Sequence, residues 1–165
     1  MHAIGAQNAC PNRQVISLSG DGGFTMMMGE MLTLKQLNLP VKIFVFNNEE
    51  LSFIAMEMKA SGYLDYATDF VNPDFGKLAE AAGIKGVSIQ NSSEVDEKIM
   101  EALNHNGPVI VNVRVDKQEL AMPPKIAYQQ AKGFSKYLIN AILDGRGTEL
   151  KEMAKTNWMK YKSLY

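Results

Sequence analysis

Cysteine and histidine are scarce in this 165-residue chain, which contains one cysteine, Cys10, and two histidines. A single cysteine forms no internal disulfide, so a reducing compartment suits the chain best. The same shortage argues against a zinc site with the usual set of ligands. A basic excess is lacking too, because 17 Lys and Arg residues face 18 Asp and Glu residues. Few phosphates could be neutralised, so no nucleic-acid partner is expected.

Long apolar runs are also missing from the sequence. No run approaches the length of about 20 residues that crosses a bilayer as a helix. The N-terminus lacks the basic segment and apolar core of a signal peptide. Instead, "MHAIGAQNA" has the look of a helix end, since the turn-forming residues Pro11 and Asn12 follow it. We therefore expect further sequence upstream of this chain.

The apolar residues that are present include four short runs rich in β-branched residues, at positions 15–18, 41–46, 87–89 and 109–115. The second and fourth are apolar almost throughout, as in strands covered on both faces of a parallel sheet. Helices are predicted between and after these runs, at 25–37, 73–82, 94–103 and 149–162, with Asn72 as the cap of the second helix. This alternation predicts an α/β fold: a doubly wound parallel sheet with helices on both faces, followed by a C-terminal helical tail.

A carboxylate lies among glycines directly after the first predicted strand, in "SGDGGF". Ligands of parallel sheets bind beyond the carboxyl ends of the strands, where Asp21 lies. If the first two strands are neighbours, Asn48 of "FNN" lies beside it. A carboxylate and an amide oxygen suit Mg²⁺. Gly20, Gly22 and Gly23 let backbone N–H groups approach a diphosphate, towards which the helix predicted from residue 25 points its N-terminus.

The sequence "GDG", followed after 24 residues by "NN", resembles the thiamine diphosphate (ThDP) motif of ThDP-dependent enzymes. The resemblance implies that Mg²⁺ is held by Asp21, the Asn48 side chain and the Glu50 backbone carbonyl. It also implies that the ThDP site comprises Gly20, Asp21, Gly22, Gly23, Phe24, Asn48, Glu50 and Leu51. This is the pyrophosphate domain of the ThDP-binding fold.

Longer segments extend the likeness, namely "RQVISLSGDGGF", "LPVKIFVFNN", "SFIAMEMKASGYL" and "GFSKYLINAILDGRGTELKEMAKTNW". They resemble the C-terminal third of bacterial pyruvate oxidases, most of all the pyruvate dehydrogenase (quinone) branch. By this resemblance Phe53 lies between thiamine and flavin, while Ile54 and Glu57 line the pyruvate site. Phe53 and Glu57 are four residues apart and so share one face of a helix. The alternative is that Phe53 and Ile54 are core residues and Glu57 is solvated.

Members of that family also carry a pyrimidine-binding domain and an FAD domain, which this sequence lacks. The resemblance therefore implies a ThDP pyrophosphate domain at residues 1–120, a linker and helix at 121–147, and a tail at 148–165. The isolated chain would hold half an active site and be inactive. The full-length enzyme would bind FAD and form a homo-oligomer, expected to be a tetramer.

The tail has apolar residues at nearly helical spacing: Leu150, Met153, Ala154, Trp158, Tyr161 and Leu164. Lysines lie beside this stripe, as in helices that bind an anionic membrane surface. The alternative is that the stripe packs on the protein's own body or frays. The resemblance favours the membrane, because in the quinone-reducing branch the tail mediates lipid binding. The protein is thus expected in the cytoplasm, peripheral on the inner face of the cell membrane.

These observations predict a flavin-dependent enzyme that oxidatively decarboxylates pyruvate to acetate and passes electrons to membrane quinone. Two enzymes with related chemistry remain as alternatives, an oxygen-reducing pyruvate oxidase and an acetolactate synthase. A non-catalytic module that binds a magnesium diphosphate is a third. Within the sequence, only the tail argues for quinone.

Overall fold

A computed structural model describes residues 2–117 and 127–163 of the chain. Its sheet is parallel throughout, with the strand order β1-β2-β4-β3. The strands are β1 (Ile16–Gly20), β2 (Lys42–Asn47), β3 (Lys85–Ile89) and β4 (Val109–Arg114). The helices are α1 (His2–Ala9), α2 (Asp21–Met26), α3 (Met31–Gln36), α4 (Ser52–Ala60), α5 (Phe75–Ala81), α6 (Val95–Asn104), α7 (Tyr128–Leu143) and α8 (Gly147–Ser163).

Two helices that adjoin the predicted site differ from their predictions. The helix predicted at 25–37 is divided into α2 and α3, with a 3-10 turn at Met28–Glu30 between them, and α2 already begins at Asp21. Met27 departs from helical geometry, with φ −128°. The second difference concerns α5, which is capped by Asp74 rather than by Asn72. The Asp74 carboxylate accepts hydrogen bonds from the backbone N–H groups at positions 76 and 77, as an N-cap does.

The described chain divides into two compact units. The first consists of Met1–Glu49 and Val71–Val115, and the second of Glu50–Phe70 and Asp116–Tyr165. The predicted boundary between residues 120 and 121 and the first part of the predicted linker lie outside the described residues.

The first unit contains the sheet and has a core on each face of it. On one face α2, α3 and α5 pack against the sheet around Leu34, Val45 and Phe75. On the other face α6 packs against strands β3 and β4, around Val87 and Val111. Helices on both faces of a parallel sheet confirm the predicted α/β fold.

The second unit contains α4, α7 and α8, and its hydrophobic core is built around the buried residues Tyr137, Ala141 and Met153. Helix α7 runs through Gly133 without a break. A Cβ atom at Gly133 would lie 1.9 Å from the carbonyl oxygen of Ala60, so this glycine lets α7 approach the last turn of α4.

The predicted tail forms α8, and the first part of its apolar stripe packs within the second unit. Met153 is buried and Leu150 packs beside it, whereas Trp158 is 61% exposed. The side chains of Tyr161 and Leu164 lie outside the described ones. In the described part of the chain, no helix is both long and apolar enough to span a membrane.

Candidate functional site

The first two strands are parallel neighbours, with Gly20 in register with Phe46. This confirms the adjacency that the predicted site requires. Asp21 directly follows β1, and Asn48 directly follows β2. Both residues therefore leave the sheet at the same edge, the one formed by the carboxyl ends of the strands.

The carboxylate of Asp21 is buried, with 3% of the residue exposed, and accepts three N–H hydrogen bonds. Its Oδ1 accepts from the backbone N–H of Gly22 at 2.8 Å. Its Oδ2 accepts from the backbone N–H of Glu49 at 2.7 Å and from Nδ2 of Asn72 at 2.8 Å. A carboxylate has about four lone-pair sites. By this count Oδ2 is fully used, and the lone pair that remains is on Oδ1.

Glu49 reaches Asp21 because its backbone is left-handed, with φ 60°. That conformation costs a residue with a Cβ atom about 1–2 kcal/mol. Arg114, at the end of β4, donates two N–H groups to the Glu49 carboxylate, at 2.7 and 2.8 Å. This hydrogen bonding raises the pKa of Arg114. The forked ion pair therefore helps to hold the strained residue whose N–H points at Asp21.

Asn72 was missed as a site residue, because its place before a proline suggested a helix cap. Its Nδ2 donates both to Asp21 Oδ2 and to Oδ1 of Asn47, the latter at 3.0 Å. Asn47 in turn donates to Oδ1 of Asn112 at 3.0 Å. The three amides line a cleft of about 400 Å³, together with Glu49, Pro73, Asp74, Gln90, Asn91 and Arg114. Asp74, two residues after Asn72, is also of a type that is favoured as a helix cap, and it is the residue that caps α5.

The glycines around Asp21 leave room for a ligand. Apart from its chain neighbours and the backbone of its own helix, a Cβ atom at Gly20 or Gly23 would meet nothing within 4 Å. Gly20 has φ −71°, a conformation open to any residue, so its backbone geometry does not require glycine. Bare backbone beside a carboxylate and an amide fits a diphosphate with Mg²⁺, which binds hard oxygen ligands. The Phe24 side chain instead packs in the core, edge-on to Phe75 at 5.2 Å.

The remaining predicted site residues belong to the second unit. Glu50 is buried and pairs with Asp69 in an antiparallel bridge, while the N–H of Leu51 donates to the Thr68 carbonyl at 2.8 Å. Burial raises the pKa of Glu50, an effect that the nearby lysines Lys59 and Lys117 partly offset.

Helix α4 carries the three residues predicted to face the substrate. Phe53 is 71% exposed and Ile54 is 48% exposed, so the alternative that they are core residues is wrong. Glu57 is exposed on the same helix. Their roles towards thiamine, flavin and pyruvate stay predictions.

Comparison with known proteins gives a match over residues 2–113 to the family described as "Thiamine pyrophosphate enzyme, C-terminal TPP binding domain". Among curated proteins, the chain is 37% identical over 154 residues to YdaP of Bacillus subtilis, provisionally named a thiamine pyrophosphate-containing protein. It is 40% identical over 122 residues to the mitochondrial acetolactate synthase catalytic subunit of Saccharomyces cerevisiae. It is 36% identical over 123 residues to the large subunit of acetolactate synthase isozyme 2 of Escherichia coli.

The matches cover most of this chain but only a small part of each relative. The match to YdaP takes in 93% of this chain and 27% of the relative. The matches to the yeast and Escherichia coli synthases take in 73% of this chain, and 18% and 22% of the relatives. The chain thus spans about a quarter or less of the length of these proteins.

Proposed function

This chain belongs to the thiamine pyrophosphate enzyme family, and from that premise we propose that it binds the diphosphate of ThDP together with Mg²⁺ at the edge of its sheet. The observation that carries this proposal is the buried Asp21 carboxylate, which is fixed at the end of β1 by the turn that follows β2. The open space at Gly20 and Gly23 supports the same assignment.

Each proposed ligand has a separate task. Asp21 supplies a carboxylate oxygen, Asn48 a side-chain amide oxygen and Glu50 a backbone carbonyl to Mg²⁺. The backbone at Gly20, Gly22 and Gly23 lies against the diphosphate, since no side chain intervenes there. ThDP, when bound, supplies the stabilisation of a carbanion at the reacting carbon. These residues would orient the cofactor, and the Mg²⁺ that they hold would offset part of the negative charge of its diphosphate.

For the whole protein we propose an enzyme that oxidatively decarboxylates pyruvate to acetate, with FAD as a second cofactor and quinone as the electron acceptor. Phe53, Ile54 and Glu57 would face the substrate, and their exposure leaves them available for that task. Pyrimidine-binding and FAD domains would complete the site in a homo-oligomer, expected to be a tetramer.

The second candidate is an acetolactate synthase, which the identities of 40% and 36% favour. The match to YdaP extends over 154 residues and those to the synthases over 122 and 123, so the synthases match a shorter part of this chain. The extra length is consistent with a tail that the synthases do not share. An activity assay on a full-length protein that contains this sequence would distinguish the two candidates. Quinone-dependent formation of acetate supports the first, and acetolactate formed without quinone supports the second.

The cofactor proposal is tested by calorimetric titration of ThDP into the 165-residue chain, with Mg²⁺ and then with EDTA. We expect binding that requires Mg²⁺ and is lost in Asp21→Ala, with far-ultraviolet circular dichroism unchanged. Asp96→Ala is the control, since Asp96 is an exposed carboxylate on α6 of the same unit. Equal binding by Asp21→Ala and the parent would contradict the metal assignment. A folded parent without binding would contradict the proposal for this chain.

We also propose that the end of the tail binds a membrane surface, where the quinone would be reached. Deleting the tail from residue 148 would remove Leu150 and Met153 from the second unit's core. A chain that ends at Asn157 is the better variant, because Trp158 and Met159 are 61% and 54% exposed. Co-sedimentation with phosphatidylglycerol vesicles should be strong for the parent and weak for the shortened chain. Equal sedimentation of both would exclude the tail end as the anchor.

A further inference from the structure

The amide of Asn72 joins the proposed metal ligand Asp21 to the interior of the sheet. Its single nitrogen, Nδ2, donates to Asp21 Oδ2 at 2.8 Å and to Asn47 Oδ1 at 3.0 Å. An amide nitrogen carries two N–H groups, so each bond has its own hydrogen. Turning this amide around would set its oxygen against two other oxygens, so the orientation is fixed by its partners.

The orientation of Asn47 is fixed in the same way. Its Nδ2 donates to Asn112 Oδ1 at 3.0 Å, which leaves its own Oδ1 to face Asn72. Asn47 and Asn112 are 3% and 5% exposed, so water cannot readily replace these bonds. A continuous series of amides therefore runs from β4 through β2 to the carboxylate after β1. We call Asn112, Asn47 and Asn72 the amide relay.

We propose that Asn72 is a positioning residue for the Mg²⁺ site, acting through the amide relay; this inference rests on the proposed function. Together with the N–H of Glu49 it uses both lone pairs of Asp21 Oδ2. The lone pair left on Oδ1 is then the one that a cation can take. Asn72 thereby decides which oxygen of the carboxylate is presented to the metal. Outer-shell partners of this kind typically change metal affinity by about 10–100-fold.

Asn72 has no competing role as a helix cap, because Asp74 caps α5. The best matched control is Asn91, which lines the same cleft with the same type of side chain. Its Nδ2 donates to Glu94 at 3.4 Å and not to the amide relay. Asn91→Ala therefore removes an equal number of atoms from the cleft and leaves Asp21 untouched.

The test is a titration of the 165-residue chain with Mn²⁺ in the presence of ThDP, in which electron paramagnetic resonance reports the free ion. We expect Asn72→Ala to bind Mn²⁺ about 10–100-fold more weakly than the parent. Asn91→Ala should bind like the parent. Circular dichroism and thermal unfolding establish that each variant is folded.

A second pair of variants tests the relay at its far end, where Asn72 itself is intact. Asn112→Leu keeps the approximate size but loses the acceptor, whereas the carboxylate of Asn112→Asp still accepts from Asn47. We expect weaker Mn²⁺ binding by Asn112→Leu and recovery in Asn112→Asp. If Asn112 acted only through packing, folded Asn112→Leu and Asn112→Asp would bind Mn²⁺ equally well.

The results distinguish a failure of the proposed role of Asn72 from a failure of the proposed cofactor binding. A parent that binds Mn²⁺ with ThDP, and a folded Asn72→Ala that binds it equally well, would overturn the inference and leave the function standing. Equal losses in Asn72→Ala and Asn91→Ala would overturn it as well. A folded parent that shows no ThDP-dependent binding of Mn²⁺ would overturn both.

Discussion

Replacing Gly133 by alanine should push α4 and α7 apart. In the interior of an ordinary helix, alanine is more stable than glycine by about 1 kcal/mol. At Gly133 the new Cβ atom would lie 1.9 Å from the Ala60 oxygen and 2.8 Å from the Ala60 carbonyl carbon. Both neighbours are backbone atoms of a helix end, so no side chain can turn away to make room.

The magnitude follows from these distances. The Ala60 oxygen would have to retreat by about 1 Å before the contact became tolerable. Overpacking of a well-packed region costs about 1–3 kcal/mol, and the upper end applies because the obstacle is backbone. After subtraction of the gain in helix propensity, we expect a net loss of about 2 kcal/mol in the free energy of unfolding.

Urea denaturation followed by far-ultraviolet circular dichroism measures this loss. Gly147→Ala is the control in the same unit, since a Cβ atom there would meet nothing within 4 Å. It should be neutral or stabilising by less than about 1 kcal/mol. A Gly133→Ala protein as stable as the parent would refute the close approach of α7 to the end of α4.

Three further changes act on buried or capping groups. Burial lowers the pKa of Lys42, whose Nζ donates to the carbonyls of His105 and Gly107 at 2.6 Å. Between this lowered pKa and the ordinary value of about 10.5, the protein takes up a proton when it unfolds. The free energy of unfolding should therefore rise with pH in that range in the parent but not in Lys42→Met. Burial, and secondarily Glu149, raises the pKa of Tyr137. Above about pH 10 the phenol ionises in the unfolded chain before it does so in the folded protein, so the free energy of unfolding should fall as the pH rises. Denaturation curves at several pH values should show this fall in the parent but not in Tyr137→Phe. Asp74→Ala removes the N-cap of α5 and should lower the free energy of unfolding, measured by thermal denaturation, by about 1–2 kcal/mol. Glycine is a better N-cap residue than alanine, so a smaller loss in Asp74→Gly would agree with a capping role.

The strands were predictable because their signal is local. The runs at 41–46 and 109–115 are apolar almost throughout, and both became central strands that are covered on two faces. The neighbouring placement of Asp21 and the turn after β2 followed from the crossover rule, which depends on topology and not on side-chain detail.

The rest of the site depended on contacts between distant residues. Asn72 fits either a helix cap or a hydrogen-bond donor to a carboxylate, and only the fold brings it to Asp21. Glu49 gave no sign of its left-handed backbone, since glycine, the usual residue there, is absent. The division at residues 49 and 70 also had no marker in composition, because it follows from packing.

The bonds of the amide relay join residues far apart in the chain, 51 positions between Asp21 and Asn72 and 65 between Asn47 and Asn112. Such pairings form only after the intervening segments have been brought together, at the entropic cost of closing long loops. The carboxylate would then reach its final orientation late in folding. A bound cation would stabilise the folded protein against unfolding while changing the rate of folding little. Metal would thus lengthen the lifetime of the folded state more than it would speed its formation.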